Sequence, residues 1–521
     1  MKKNYSILFL LIFYFFFQLS SIDYGTKINN IYDNIKLNDI SNIKKEILSK
    51  ERIIENKNNL ENNNKNLIRY KLYSIEADEM LSIMALSKIA INKKIDPHYY
   101  QYGGSFLYPL GVYYYFLKKI NLIKYNNIDD LLKNSEVVDN IYIYGRIFVL
   151  LTFIISAFIL FKTFRLLTSN NLSLKLTTLY LFVPSSIMFS QIIKPHWFSL
   201  IWINLIIYNL IKLKKNNKEF KRRLIYISIF MGFCIGSALY NIFFLIISYI
   251  FLFFFLKKDY LKIKNISISL LFILIGFITT NPTVLINSNN MIIEFYNLAY
   301  WFKGNINFTK ITNFFQNSLI TGFGLVNIIF LVFSIFLKKN IKYFKSILIF
   351  LLTPLIIISI ITAQQNNWHI NFRYLPYFLP ILLLFFLFFL KKKNQLIINS
   401  LIIFTFLQMI PLKIAYMDEN NEKYSTRIKA ANWIEKNINK DDKICNGENS
   451  LAPFNMPPIK FYEFNIVNKK CDWIIMTIRN NKNYEKIKSD NIKIEFLPRY
   501  LIKFPRTVYS HINPIIVIIK S

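Results

Sequence analysis

The sequence predicts an α-helical polytopic membrane protein with about eleven transmembrane helices and a small C-terminal α/β domain outside the cytoplasm. The chain has 521 residues, of which 54% are hydrophobic, yet its formal net charge is +34. Long apolar runs alternate with short clusters of Lys and Arg, and this segregation is typical of an integral membrane protein. The clusters adjoin the apolar runs, and the sequence has no zinc-finger spacing or basic-aromatic RNA motif. The charge therefore does not indicate nucleic-acid binding.

The first apolar run extends from Tyr5 to about Ile22 and follows a basic start, Met1 to Lys3. A signal peptide has the same pattern, but Gln18-Leu19-Ser20-Ser21 is a poor small-residue cleavage site. We therefore expect an uncleaved first span. The polar stretch 23–139 follows, and its first half is an Asn/Lys-rich insertion with no span of its own.

Further apolar runs supply the remaining spans. They lie at about 141–161, 176–193, 197–211, 224–256, 266–280, 318–337, 346–363, 374–390 and 395–412. A helix rises about 1.5 Å per residue and the hydrocarbon core is about 30 Å thick, so the run 224–256 is too long for one crossing. We expect it to divide near Gly236 into two short helices.

The basic clusters orient these spans. They lie at 162–175, 212–223, 257–264, 338–345 and 391–393, and with about eleven crossings each falls on the side of Lys2 and Lys3. The positive-inside rule then places loop 23–139, loop 281–317 and tail 413–521 outside the cytoplasm. We expect a transmembrane module at 1–412 and an external domain at 413–521. A bacterial cytoplasmic membrane is the expected location, with the endoplasmic reticulum as the alternative.

The tail has the pattern of a small α/β domain. Arg427 to Ile434 is apolar at helical spacing, while Lys443 to Cys445 and Trp473 to Met476 are strand-like. Cys445 and Cys471 each lie at the edge of a predicted strand. In an oxidising compartment they could form a disulfide, and two unpaired buried thiols are the alternative. The third cysteine, Cys234, lies in a predicted span, where inert packing is expected.

A group of acidic residues opens an amphipathic segment in the first external loop. Glu76, Asp78 and Glu79 lie just before the apolar stretch Met80 to Ile91, and a second such stretch runs from Phe106 to Ile120. Carboxylates at this position can simply cap a helix. Both stretches are short or interrupted, however, which suits helices on a membrane surface. Acidic groups above such helices would then meet the head group of a lipid-borne substrate.

Several short motifs of the chain resemble those of the GT-C superfamily of membrane glycosyltransferases, in its protein-mannosyltransferase-like and lipopolysaccharide-glycosyltransferase-like branch. The resemblance is carried by the pair Asp78-Glu79, the following Pro/Tyr-rich helix, Arg146 opening the second span, Gly276-Phe277, Asn281-Pro282, Arg373 to Pro376, and Ala431 to Ile434. It covers most of the chain, although each motif is short. This chain departs from the pattern in its long insertion before Asp78 and in Tyr240-Asn241, where relatives often have Lys-Tyr.

The resemblance implies transfer of a sugar from a polyprenyl-phosphate carrier to an acceptor hydroxyl on the external face, with inversion. A sugar phosphodiester already has a good leaving group, so it needs no carboxylic acid to protonate that group. It needs a base for the acceptor proton and cations for the phosphate. Asp78 is the candidate base, and Glu79 positions the acceptor or shares this role. The acceptor class, whether lipid, cell-envelope glycan or protein, stays open.

Candidate groups for the donor phosphate and substrate lie on the same external side. They are His98, Tyr102, Lys194, His196, His369, Arg373 and Tyr374. A cation near the end of a span can instead snorkel to the interface. Asp78, Glu79 and His98 are a possible divalent-metal set, but no ligand spacing supports it, and we expect no metal or other cofactor.

Two other functions fit a polytopic chain. A transporter or flippase would place its ionisable residues at the bilayer midplane, often in repeated halves, whereas here the apolar runs have few charges in their middles. A surface-polysaccharide ligase or polymerase also uses a polyprenyl-linked donor. Such proteins usually have their large external loop late in the chain, whereas here the acidic loop follows the first span.

Overall fold

The computed structural model describes residues 5–26, 71–125, 128–215, 219–242, 262–301, 319–337, 378–390, 395–447, 456–467, 469–478, 492–500 and 512–520. The described chain is mostly helical and has one small sheet near its C-terminal end. The helices are α1 Tyr5–Leu19, α2 Ala77–Asn92, α3 Gly104–Lys119, α4 Ile128–Lys133, α5 Ser135–Leu167, α6 Asn170–Phe182, α7 Pro184–Phe189, α8 Pro195–Phe198, α9 Leu200–Lys215, α10 Phe220–Ile235, α11 Ile263–Thr280, α12 Thr283–Ile286, α13 Ser288–Trp301, α14 Thr321–Phe323, α15 Leu325–Leu337, α16 Leu379–Phe389, α17 Gln395–Asp418 and α18 Thr426–Asn437. The strands are β1 Lys443–Asn446, β2 Asn465–Ile466, β3 Trp473–Ile478, β4 Ile492–Phe496 and β5 Ile515–Lys520.

Within the described ranges, four helical stretches are long and apolar enough to cross a membrane. They are Ser135–Leu167, Pro195–Lys215, Ile263–Thr280 and Gln395–Asp418. The helix α1 is also apolar but shorter. These stretches identify the chain as an integral membrane protein. The run 346–363 and the second half of 224–256 lie outside the described residues, so the count of about eleven spans stays a prediction.

The expected break near Gly236 is confirmed. The helix α10 ends at Ile235, and Gly236 is its C-terminal cap. The chain then turns through a short 3₁₀ segment, Leu239–Asn241. The apolar run that begins at 224 is therefore not one continuous helix.

The apolar run 176–193, which is expected to supply one span, is not one continuous helix. The helix α6 ends at Phe182, Val183 is extended with a ψ of 144°, and Pro184 opens the separate helix α7. A residue that precedes proline is disfavoured in the helical region, because the proline ring clashes with its backbone. Pro184 therefore divides the apolar run into two helices.

Buried polar contacts hold α1 in the fold. The Gln18 side-chain amide donates to the Ser190 hydroxyl at 2.7 Å and to the Ile187 carbonyl at 3.0 Å. The Tyr14 hydroxyl lies 3.0 Å from the same Ser190 oxygen. A polar group in an apolar surrounding needs such partners. Whether α1 is retained as an uncleaved span stays a prediction.

The chain forms two compact units. The first unit comprises Met1–Gln18, Ile89–Val112 and Phe148–Met409, and the second comprises Leu19–Lys88, Tyr113–Ile147 and Ile410–Ser521. The C-terminal domain thus shares a unit with parts of the first loop, which differs from a single division at 412/413. Whether 413 marks the membrane boundary stays a prediction.

The small domain predicted at the C-terminal end is present. Its five strands lie in the order β2-β1-β3-β5-β4, with β2, β1 and β3 parallel and β5 antiparallel to both neighbours. The helix α18 contributes Ala430 and Ile434 to a core with Ile444, Ile475 and Ile516. The strands expected around 443–445 and 473–476 are confirmed as β1 and β3, and the helix expected at 427–434 is confirmed as α18.

The two helices expected in the first loop are also confirmed. The stretch Met80 to Ile91 lies in α2, and the stretch Phe106 to Ile120 corresponds to α3. The helix α3 exposes Val112, Tyr115 and Phe116. An apolar outward face suits a membrane surface, although the position of the two helices relative to lipid stays a prediction.

Candidate active site

The acidic motif, Glu76, Asp78 and Glu79, belongs to the second unit, and its Glu79 forms a buried ion pair with Arg146. Arg146 donates from Nε to Glu79 Oε1 at 3.0 Å and from Nη2 to Oε2 at 2.8 Å. Both side chains are fully buried. The Ser74 hydroxyl donates to Glu79 Oε2 at 2.6 Å. The planar guanidinium matches a carboxylate in this two-point geometry, so Glu79 is fixed in one orientation.

The remaining donors of Arg146 fix the segment that follows α1. Its Nη1 donates to the carbonyl oxygens of Ile22 and Tyr24, at 2.9 and 2.7 Å. Its guanidinium also lies 3.8 Å from the centre of the Tyr24 ring. The Tyr24 ring meets Tyr416 of α17 edge to face, with centroids 4.7 Å apart. Arg146 therefore joins three stretches that are far apart in the sequence.

Two further contacts attach the same segment to α17 and the chain after it. Lys413 Nζ donates to the Ser21 hydroxyl at 2.5 Å. The backbone N–H of Gly25 donates to the side-chain carbonyl of Asn420 at 2.8 Å. The chain at 21–26 is consequently held on both sides, by Arg146 and by the end of α17.

Asp78 and Glu79 have different surroundings although they are consecutive. Both lie in the first turn of α2, where one residue advances the helix by about 100°. Glu79 is turned into the protein and binds Arg146 and Ser74. Asp78 keeps partial exposure. Of the two residues, Asp78 is therefore the more exposed, although its Oδ2 atom is buried.

In the first unit, Asp96 organises the loop that carries His98. Its carboxylate accepts from the His98 backbone N–H at 3.0 Å, the Tyr100 hydroxyl at 2.9 Å and the Asn287 amide at 3.1 Å. His98 has a φ of 50°, in the left-handed region. Burial raises the pKa of Asp96, but the hydrogen bonds from His98, Asn287 and Tyr100 outweigh it and lower the pKa below its ordinary value.

Tyr102 lies where the backbone segments 102–104 and 236–238 and the side chain of Asn281 are in direct contact. It forms an antiparallel bridge with Ala238, and the next residue, Gly103, donates its N–H to Ser237 O at 2.9 Å. Asn281 accepts from the Gly104 N–H at 2.9 Å and donates to Gly236 O at 3.2 Å. A Cβ on Gly103 would lie 2.1 Å from Gly236 O, so glycine is required there.

Lys194 and His196 are buried next to this junction. Their residues are 3% and 1% exposed, at the start of α8. The His196 ring stacks on Tyr240, with centroids 4.9 Å apart and planes inclined by 30°. Asn241 donates to the Ser199 hydroxyl at 2.9 Å, which anchors the end of α8 to the same segment.

The structure therefore brings some of the predicted site residues together. Tyr102 and His196 both contact the stretch 238–240 in the first unit. Asp78 and Glu79 belong to the second unit. His369, Arg373 and Tyr374 lie outside the described residues. Among the described residues, no three His, Cys, Asp or Glu side chains are grouped so that they could hold a metal ion.

Two of the three cysteines lie next to each other in the C-terminal domain. Cys445 and Cys471 are placed as a disulfide, with their Cα atoms 5.6 Å apart. Cys445 belongs to β1, and Cys471 lies just before β3, which pairs with β1. Cys234 is a buried free thiol.

The sequence interpretation assigned no role to several residues that shape the site. These are Tyr24, Ser74, Asp96 and Asn287, and Arg146 and Tyr240 entered only through the resemblance. The sequence does predict that Arg146 has a partner, because an arginine in an apolar helix requires one. The partner of Arg146 is 67 residues away in the sequence, so periodicity cannot identify it.

No protein-family model and no curated protein matches the sequence. Among solved structures, the chain is similar to the crystal structure of ArnT from Cupriavidus metallidurans bound to undecaprenyl phosphate. The sequence identity is 9%, the TM-score is 0.48, and the similarity covers 87% of this chain and 96% of that chain.

Proposed function

We propose that this chain is a membrane glycosyltransferase that transfers a sugar from a polyprenyl-phosphate donor to an acceptor hydroxyl, with Asp78 as the general base. One observation carries the proposal. The ion pair between Glu79 and Arg146 fixes the start of α2, while Asp78 beside it stays partly exposed. The GT-C resemblance of the motifs supports the same assignment.

The reaction needs one proton transfer and one displacement. Asp78 accepts the proton of the acceptor hydroxyl as its oxygen attacks the anomeric carbon of the sugar. The bond between that carbon and the phosphate oxygen breaks, and polyprenyl phosphate leaves with the electron pair. A single displacement inverts the anomeric configuration. Glu79 is already bound by Arg146 and Ser74, so we assign it the role of holding α2 and not that of a second base.

Cations of the first unit are assigned to the donor phosphate. Lys194 and His196 are buried, where a charge–phosphate interaction is stronger than in water. His98 and Tyr102 lie on the loop and junction described above and are assigned to substrate binding. Arg373, with His369 and Tyr374, is assigned to the same role from the sequence alone. The proposed acceptor is a lipid, glycan or protein of the cell envelope, and the proposed location is the bacterial cytoplasmic membrane.

The decisive experiment compares Asp78→Asn with Glu76→Gln in membranes supplied with labelled polyprenyl-phosphate sugars. Glu76→Gln is the matched control, because it neutralises a neighbouring carboxylate two residues away. Asp78→Asn should abolish transfer at a normal protein level, whereas Glu76→Gln should remain active. Full activity of Asp78→Asn would remove Asp78 from the mechanism. Arg373→Ala should raise the donor concentration required for half-maximal transfer.

The same preparation tests the transporter alternative. Sealed vesicles are loaded with the labelled donor on one side, and both its position and its covalent state are followed. The proposed enzyme produces a glycosylated acceptor. Movement of the intact donor across the vesicle membrane, without a glycosylated product, would show that the chain is a flippase.

A further inference from the structure

A helix of the first unit carries its apolar side chains outward. The helix α13 follows the span α11 after the short helix α12. Ile292, Ile293 and Tyr296 of α13 are 51%, 54% and 72% exposed. Positions 292, 293 and 296 lie on one side of a helix with 3.6 residues per turn. The outward face of α13 is therefore apolar between Ile292 and Tyr296, with the exposed amides of Asn289 and Asn297 at either end of that patch.

The charged residue of α13 faces the interior of the protein, on the side opposite to the exposed apolar residues. Glu294 is its one Asp, Glu, Lys or Arg residue, and it is 6% exposed, on the same side as buried Met291. A surface helix of a water-soluble protein turns its apolar residues inward and its charges outward. The reversed arrangement indicates an apolar medium on the outward side of α13.

The apolar outward face continues the surface of a membrane span. The helix α11 is long and apolar enough to cross a bilayer, and it exposes Leu271 and Leu274 along its length. Leu285 and Ile286, which connect α11 to α13, are also exposed apolar residues. Exposed apolar side chains thus occur in all three consecutive helices, from the span to α13.

We propose that α13 lies in the membrane–water boundary, with the acyl chains of the bilayer covering Ile292, Ile293 and Tyr296. A helix with one apolar and one polar face binds in this boundary with its apolar face in the acyl region. Bilayer lipid is the occupant because the apolar face follows directly from that of a span. Asn287, just before α13, binds Asp96. The anchored helix would therefore hold the loop that carries His98 at the level of the lipid head groups.

Nitroxide labelling of the full chain in lipid nanodiscs tests this placement. Cys234 is buried and the other two cysteines are paired, so a new surface cysteine can be labelled selectively. The test variant is Ile293→Cys, and Ile292→Cys repeats it should the first variant fold poorly. Leu271→Cys is the lipid-facing control in α11, and Lys436→Cys on α18 is the water-facing control. The nanodiscs contain phosphatidylethanolamine and phosphatidylglycerol.

The measurement is the collision rate of each label with oxygen, which concentrates in lipid, and with a water-soluble nickel chelate. The oxygen-to-nickel ratio at 293 should be several-fold higher than at 436 and lower than that at 271, which lies at the middle of the span α11. A ratio at 293 equal to that at 436 would place α13 in water. Exclusion of both reagents at 293 would show that protein, such as a second copy of this chain, covers the face. Either of these results overturns the proposal.

Discussion

Arg146 donates two hydrogen bonds to the Glu79 carboxylate, at 3.0 and 2.8 Å, and both side chains are fully buried. Glu79 belongs to the acidic motif of the first loop, and Arg146 belongs to the helix α5, which contains a candidate span. The pair therefore fixes the start of α2 relative to that helix. It also divides the acidic motif into a structural carboxylate, Glu79, and a partly exposed one, Asp78.

Loss of one partner of this pair should destabilise the protein strongly. Glu79→Ala leaves the Arg146 guanidinium buried without its carboxylate, at an expected cost of about 3–5 kcal/mol in the free energy of unfolding. Arg146→Lys should also be less stable than the wild type, because one ammonium group cannot reproduce the two-point contact. Thermal unfolding of the purified protein measures both variants against Glu76→Ala. A Glu79→Ala protein that unfolds at the wild-type temperature would contradict the structural role.

The aromatic ring of Tyr240 should contribute more to the transfer activity than its hydroxyl group. Tyr240 stacks on His196, which we assign to the donor phosphate, so Tyr240→Phe keeps the contact and Tyr240→Ala removes it. We expect Tyr240→Ala to reduce transfer at least tenfold, which corresponds to about 1.4 kcal/mol, since the ring would no longer confine the imidazole. Tyr240→Phe should resemble the wild type. Equal activity of both variants would show that the stacking does not position His196.

Asp96 should make stability depend on acid pH. The pKa of its carboxyl is lower in the folded protein than in the unfolded chain, so the folded protein binds its proton less readily. The stabilisation is therefore complete above the unfolded value of about 3.9 and is lost as the pH falls through the folded value. The melting temperature, measured from pH 6 down to about pH 3, should fall more steeply for the wild type than for Asp96→Asn. Parallel curves would show that Asp96 makes no such contribution.

The cysteine pair should stabilise the C-terminal domain. The two residues are 26 positions apart, and a loop of this length corresponds to about 3–4 kcal/mol of stabilisation by a disulfide. Cys445→Ser should therefore lower the melting temperature, and Cys471→Ser should lower it equally. Mass spectrometry after alkylation checks the bond itself, with Cys234→Ala as the control. Three thiols that react without reductant in the unfolded wild type, or two in unfolded Cys234→Ala, would exclude the disulfide.

The elements that the sequence predicts well are those specified by local patterns. The apolar run 141–161 lies inside α5, the run 266–280 lies inside α11, and the break at Gly236 is where expected. The helix break inside the run 176–193 is not visible in hydropathy alone, because the run stays apolar across Pro184. The proline itself was the signal that the helix ends.

The contacts of the candidate site depend on residues far apart in the chain, which is why local patterns could not reveal them. Asp96 binds Asn287, which is 191 residues away, and Gly104 binds Asn281, which is 177 residues away. The acidic motif was visible in the sequence, but the different burial of Asp78 and Glu79 is set by Arg146 on another helix. The sequence alone therefore makes Glu79 a candidate for catalysis, whereas its contacts fit a structural role.

The position of β5 constrains how the C-terminal domain can form during synthesis. Residues 515–520 enter the sheet between β3 and β4, and β4 is attached to β3 through β5. The sheet cannot close until that late stretch of chain has left the ribosome and, by the predicted topology, has crossed the membrane. Until then β3 keeps an open edge, which can pair with other nascent chains. A pause in export just before residue 515 should therefore expose the protein to aggregation more than a pause at an earlier point.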